Sequence, residues 1–109
     1  MLGSIVTVTV DRPMGSYHPE HHALCYPINY GYVGGTCAAD GEEIDAYIVG
    51  VDRPLKQYTG RVIAIIHRLN DVEDKLVVAP DGVLLDKEQI TALTAFQEQY
   101  FDIDIEMLS

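Results

Sequence analysis

Runs of β-branched residues dominate this chain, and only one segment, near its end, repeats apolar residues at helical spacing. That order constrains the fold more than any other feature. "SIVTVTVD" (4–11) alternates apolar and polar side chains and predicts a strand with one buried face. "YGYVGGT" predicts a short strand or turn, punctuated by Gly34-Gly35, and "IDAYIVGV" (44–51) another strand. "RVIAIIHRL" (61–69) is almost continuously apolar, as suits a strand buried on both faces, and "KLVVAP" (75–80) follows it after a short acidic link. "RPMGSYHPEHH" (12–22) and "DRPLKQYTG" (52–60) read as proline-containing loops. In "DKEQITALTAFQEQYF" (86–101), Asp86 is an N-cap with Gln89 completing a capping box. Ile90, Leu93, Gln97 and Tyr100 form a stripe widened by Ala92 and Phe96. Short strands first and one helix last predict a mainly β fold: a small closed or partly closed β-barrel with a C-terminal helix packed on it. The tail "DIDIEMLS" is either a last strand or disordered.

The chain has 109 residues, so a single domain over 1–109 is expected. Its 48% hydrophobic and 22% charged residues are those of a globular rather than a disordered protein. Net charge is −10, which disfavours nucleic acid and anionic membranes alike, because both bind through basic side chains. The longest apolar run, Val62 to Ile66, is too short to span a bilayer, and "MLGSIVTVTV" lacks the basic region and cleavage site of a signal peptide. A cytoplasmic location is therefore expected. Cys25 and Cys37, the only cysteines, have no zinc-type spacing and are expected to be reduced, small core or near-core residues.

The chemistry concentrates in "CYPINYGYVGGTCAADGEEIDAY" (25–47), where tyrosines and glycines precede Asp40, Glu42, Glu43 and Asp45. Gly41 permits a tight turn that lets flanking carboxylates converge. Hard cations such as Mg²⁺, Mn²⁺ or Ca²⁺ take oxygen ligands, and the D-x-E-x-x-D spacing suits Mg²⁺ better than the twelve-residue calcium loop. Asp71, Glu73 and Asp74 form a second acidic group beside Lys75. Adjacent strands would bring the two groups together around metal; the alternative is a pair of solvated turns.

"YPINYGYVGGTCAADGEEIDAYIVGV" resembles the core of the soluble family I inorganic pyrophosphatases. In that family Y-P-x-N-Y-G-Y is followed, after roughly eight residues, by D-G-D-P-x-D. Here Y-P-x-N-Y-G-Y is intact, the gap spans 33–39, and the acidic signature reads D-G-E-E-I-D. "EDKLVVAP" resembles the family's D-x-K-[LV]-[VI]-A stretch and "FQEQYFD" its F-F-x-x-Y-K-x-L helix, so the resemblance covers about residues 24 to 102. It implies a five-stranded OB-like β-barrel and metal-assisted hydrolysis of pyrophosphate, or of a related small phosphoanhydride, with Mg²⁺ as cofactor and Mn²⁺ as the other candidate. By the same resemblance Asp40 and Asp45 are metal ligands, joined by Glu73 and by Asp71. Glu42 is the base for the attacking water and Lys75 contacts phosphate. Tyr30 and Tyr100 contact phosphate or line the site, and Tyr26 lines the same cavity. The family's bacterial members are oligomers, and a homo-oligomer is expected here.

The sequence departs from the family pattern in four places. Glutamate replaces aspartate at 42 and 73, Phe101 stands at the phosphate-binding lysine after the helix tyrosine, and the N-terminal hairpin that supplies a lysine, a glutamate and an arginine is shortened away. Asp11 lies near the place of that glutamate, and Arg12 is the candidate for the arginine. His18, His21 and His22 in "SYHPEHH" replace the lost phosphate contacts, with His18 as the substrate-binding candidate, or bind a softer metal such as Mn²⁺ or Zn²⁺, or form an exposed polar loop. His67, inside an apolar strand, reads as a satisfied core or edge histidine, Tyr47 as core, and Arg53, Lys56 and Arg61 as surface charges. Two functions follow: a pyrophosphate hydrolase, or a catalytically impaired relative that binds metal and phosphate in a regulatory or structural role.

Overall fold

The computed structural model describes residues 1–37, 41–70, 73–83 and 85–108. Its elements are β1 (Ile5–Arg12), β2 (Asn29–Val33), β3 (Ile44–Ile48), β4 (Gln57–Arg68), β5 (Asp74–Ala79), α1 (Lys87–Glu98) and β6 (Ile103–Met107). The sheet runs β1-β2-β3-β5-β4-β6, and an added β1–β4 pairing closes the first five strands into a barrel. All pairings are antiparallel except β3 with β5. The barrel expected from the strand pattern is thus present, with the tail as a sixth strand outside the closure.

Strand β4 makes closure possible. Its first half pairs with β1 (Gln57 to Arg61) and its second half with β6 (Ala64 to Arg68), while β5 runs along its other edge. A register shift between Val62 and Ala64 marks the bend where it changes partner. The strand also starts earlier than expected. Gln57–Gly60, which read as loop because of Pro54, pair with Val6 to Thr9 and extend β4 beyond the proline's reach.

Alternation then sorts side chains into two cores. Val8, Val33, Ala46, Ile48, Val62, Leu76 and Val78 fill the barrel interior. Ile28, Tyr47, Ile66, Val77 and Ala79 point outward and are covered by Ile90 of α1 and Ile105 of β6. Each fully buried Val, Leu or Ile among them contributes about 1.5–3 kcal/mol of transfer free energy. Strands β3 and β5 are therefore apolar on both faces, which is why their sequences show no alternation.

The capping box on α1 forms as expected: Gln89 N–H donates to Asp86 Oδ1 (2.8 Å) and Asp86 N–H to Gln89 Oε1 (2.9 Å). The buried line of the helix is different from the predicted stripe. Ile90, Thr94 and Glu98 are buried, whereas Ala92 is exposed and Tyr100 lies beyond the helix end and is 73% exposed. Burying a glutamate requires a cation opposite it, and the fold supplies one. Cys25 and Cys37 are exposed, contrary to the expected burial. Cys25 sits in the loop before β2, bridged to Tyr17, and Cys37 follows the Gly34-Gly35 turn, so neither reaches a core.

Candidate active site

Within the tyrosine-rich segment, Asn29, Tyr30, Gly31 and Tyr32 position the site. Asn29 is fully buried: its Oδ1 accepts from Met14 N–H and Leu55 N–H, both at 2.9 Å, and its Nδ2 donates to the Arg53 carbonyl at 2.9 Å. One amide thus ties two loops to β2. At Gly31 a Cβ would lie 1.9 Å from the Thr9 carbonyl oxygen, so β1 crosses too closely for any side chain. Tyr30 donates to Asp45 Oδ2 at 2.8 Å, and Tyr32 lines the cleft beside it.

Parallel pairing of β3 and β5 sets Asp45 opposite Lys75. Lys75 Nζ consequently donates to Asp45 Oδ2 at 2.6 Å and to Glu73 Oε2 at 2.8 Å. Arg68 Nη1 reaches the same Glu73 oxygen at 3.3 Å. Lys75 is buried, and two carboxylates at this distance hold its charge. Burial raises the Tyr30 pKa far above the usual phenol range, with the Asp45 charge and hydrogen bond adding to it, so this hydroxyl remains a donor.

Behind this layer lies a second one, rooted in the helix. Glu98 Oε1 accepts from Arg68 Nε (2.9 Å) and Oε2 from Arg68 Nη2 (2.7 Å), a bidentate fork, and Tyr47 donates to Oε2 at 2.5 Å. Burial alone would raise the Glu98 pKa, but the Arg68 and Tyr47 bonds outweigh it and hold the carboxyl below the usual range. Gln97 donates to Tyr47 Oη (2.8 Å) and accepts from Tyr26 Oη (3.0 Å), while Phe101 covers the Arg68 guanidinium at 3.7 Å from the ring centroid.

Two clefts open on either side of Lys75. The first, about 280 Å³, is lined by Asp11, Tyr32, Glu42, Glu43, Asp45, Glu73, Asp74 and Lys75. Asp11 stands there because β1 shifts register between Val10 and Arg12. Its pKa is raised, first by burial against the opposing Arg12 charge, and further by Asp45. The second cleft, about 610 Å³, lies between the His18–Leu24 loop and the end of α1, with Tyr30, Arg68 and Lys75 on its walls.

The structure thus brings Asp45, Glu42, Glu73 and Lys75 together in the acidic cleft, with Tyr30 bonded to Asp45 behind it. Asp40 and Asp71 lie outside the described residues. Tyr100 and His18 line the second cleft instead. Tyr26 lies on neither cleft wall: it is buried, packed beside Tyr30 (ring centroids 5.6 Å) and Phe96. Arg12 also lines neither; its Nη1 turns back to the Asp11 carbonyl at 3.1 Å and the Asp11 carboxylate at 3.7 Å. His67 bridges Asp74 (2.9 Å) and Glu106 (3.1 Å) across three strands, as an edge histidine with both ring nitrogens satisfied. Arg68, Glu98 and Gln97 were not foreseen. Their signal was present as an acid four residues after Thr94 on the buried helix line and a cation in an apolar strand.

As a donor set the acidic cleft is all oxygen, which fits Mg²⁺ or Mn²⁺ and not a softer metal. Lys75 takes one oxygen from each of Asp45 and Glu73. Among the described residues no three His, Cys, Asp or Glu side chains already converge at metal-ligand distance.

The closed five-stranded barrel thus carries carboxylates, a buried lysine and tyrosines at one rim. The model of the inorganic pyrophosphatase family matches residues 7–103, and the chain belongs to that family. Similar solved structures include the inorganic pyrophosphatase of Ehrlichia chaffeensis, with TM-score 0.75 at 15% identity over 99% of this chain and 88% of that one. That of Neisseria gonorrhoeae has TM-score 0.65 at 22% identity over 90% of this chain and 74% of its own. That of Helicobacter pylori has TM-score 0.66 at 17% identity over 98% and 87%. At such identities these likenesses speak for the fold. Among curated proteins no match is found.

Proposed function

We propose that this chain hydrolyses inorganic pyrophosphate to phosphate with the help of divalent cations, Mg²⁺ first and Mn²⁺ as the other candidate. Family membership supports the reaction. The observation that carries the site is the β3/β5 register, which puts Asp45, Lys75 and Glu73 in one hydrogen-bonded group at the cleft. Asp45 and Glu73, with Asp40 and Asp71, are the residues to hold the cations. Bound there, divalent metal supplies hydroxide near neutral pH and offsets the charge of both phosphates. Glu42, on the rim of the same cleft, accepts the proton of the attacking water. An ammonium has three N–H donors, and two of Lys75's go to Asp45 and Glu73. The third is the one to meet phosphate. Tyr30 keeps Asp45 in place.

The test is phosphate release from pyrophosphate with Mg²⁺ and then Mn²⁺, in wild type and Asp45→Ala. Release that needs metal and falls at least about 10²-fold in the variant is expected. No release with either metal would overturn the hydrolase reading. A second reading has its own support: Arg68 is tied to Glu98 and Glu73 and covered by Phe101, which leaves little cationic surface for phosphate. That favours an impaired relative which binds metal and phosphate, and the same assay separates the two.

We place the protein in the cytoplasm; among the described residues no helix is long and apolar enough to cross a membrane. We propose that the chain self-assembles, and a molar mass above the protomer's 12.1 kDa by light scattering checks it.

A further inference from the structure

The second cleft is larger than pyrophosphate needs. At about 610 Å³ it falls in the range of sites for organic ligands, roughly 300–1,000 Å³, while the acidic cleft at about 280 Å³ does not reach it. Lys75 lines both. An anion held by Lys75 would therefore adjoin the second cleft. Its walls include flat rings and short apolar groups, His18, His21, Leu24, Tyr100 and Phe101, beside the polar Arg68, Lys75 and Gln97. His18 Nδ1 accepts from the Glu20 and His21 backbone N–H groups at 3.0 and 3.1 Å, which fixes the ring and puts its proton on Nε2.

Resting on the hydrolase reading, we propose that beside pyrophosphate the chain takes an organic diphosphate bearing a planar aromatic group, of the nucleoside diphosphate class. Its terminal phosphate sits in the acidic cleft, its inner phosphate meets Lys75, and its base lies between the His18–Leu24 loop and the Tyr100–Phe101 corner. Ring stacking in such a slot is worth about 1–3 kcal/mol per base and tolerates different bases. In the reaction the water oxygen bonds to the terminal phosphorus and the bridging P–O bond breaks. The bridging oxygen leaves on the nucleoside monophosphate, and inorganic phosphate and a proton are released.

Binding and turnover are measured separately. Calorimetric titration with ADP and with pyrophosphate, both with Mg²⁺, gives affinities for wild type, Ala23→Trp and Tyr100→Ala; phosphate release is followed in parallel. ADP is expected to bind at least about tenfold tighter than pyrophosphate, the gain of roughly one stacked ring. Ala23→Trp fills the second cleft from an exposed loop position, and should weaken ADP at least about tenfold more than pyrophosphate. Tyr100→Ala should weaken ADP by a comparable factor. ADP binding no tighter than pyrophosphate, equal loss of both ligands in Ala23→Trp, or tighter binding of geranyl diphosphate than ADP would each overturn the proposal. Pyrophosphate cleaved while ADP fails to bind refutes this inference alone. Selective ADP binding without cleavage of either compound refutes the hydrolase reading and leaves the ligand assignment standing.

Discussion

Glu98→Ala should be among the most damaging single substitutions in this chain. Glu98 is 2% exposed and accepts three hydrogen bonds, two from the Arg68 fork and one from Tyr47. Bonds to charged groups contribute about 1.5–3 kcal/mol each, but they share one carboxylate and do not add. The governing loss is the Arg68 charge left buried beneath Phe101 without its fork partner, with Glu73 as a longer contact at 3.3 Å. Removing one partner of a buried ion pair costs about 3–5 kcal/mol, against roughly 5–15 kcal/mol of total stability for a domain of this kind. Urea unfolding followed by tyrosine fluorescence reads this directly, since the chain has no tryptophan. The melting temperature should fall by at least about 12 °C. The double variant Arg68→Met with Glu98→Leu removes both charges and leaves the Tyr47 hydroxyl proton without its acceptor, a cost of about 1–3 kcal/mol. The double variant must therefore be more stable than Glu98→Ala. If Glu98→Ala costs less than about 1 kcal/mol, or the double variant is the less stable of the two, the buried pair is not what holds α1 to the barrel.

Three further outcomes are expected. Glu42→Asp withdraws the carboxylate by about 1 Å to the position of the family's aspartate, and should change pyrophosphate turnover upward by as much as about 10²-fold; a fall would show that this cleft is shaped around the longer side chain. His67 has its pKa raised above 6.5, chiefly by the Glu106 hydrogen bond against a desolvation that lowers it, with Asp74 adding to the rise. The stabilisation is therefore complete below pH 6.5 and fades as pH rises through the folded-state pKa, so wild type should lose melting temperature over that alkaline step while His67→Gln does not. Gly31→Ala sets a methyl group 1.9 Å from the Thr9 carbonyl and should cost about 3 kcal/mol or more in urea titration, because backbone must move to admit it.

Local chemistry was readable wherever a residue's neighbours in the chain decide its state. The alternation of β1, the Asp86–Gln89 capping box and the acidic convergence around Gly41 depend on spacings of a few residues, and the structure carries the first two as expected. Cys25 and Cys37 show the limit: a preference of cysteine for the interior says nothing about which loop it falls in, and both loops face solvent. The helix stripe shows it again. Apolar periodicity placed Tyr100 on the buried side, whereas the buried line runs through Glu98, because a charge 30 positions away on β4 makes that burial tolerable.

By itself, then, the sequence determined the mainly β barrel, the capped helix and the family. Tertiary structure decided who touches whom. The parallel register of β3 and β5 makes Lys75 the partner of Asp45, the bend in β4 brings Arg68 under the helix, and the clefts on either side of Lys75 separate an acidic pocket from one lined by rings. The physical reason is range. Propensity, capping and alternation act over a few residues, while pairing of buried charges and the shape of a cleft exist only once distant strands have been set side by side.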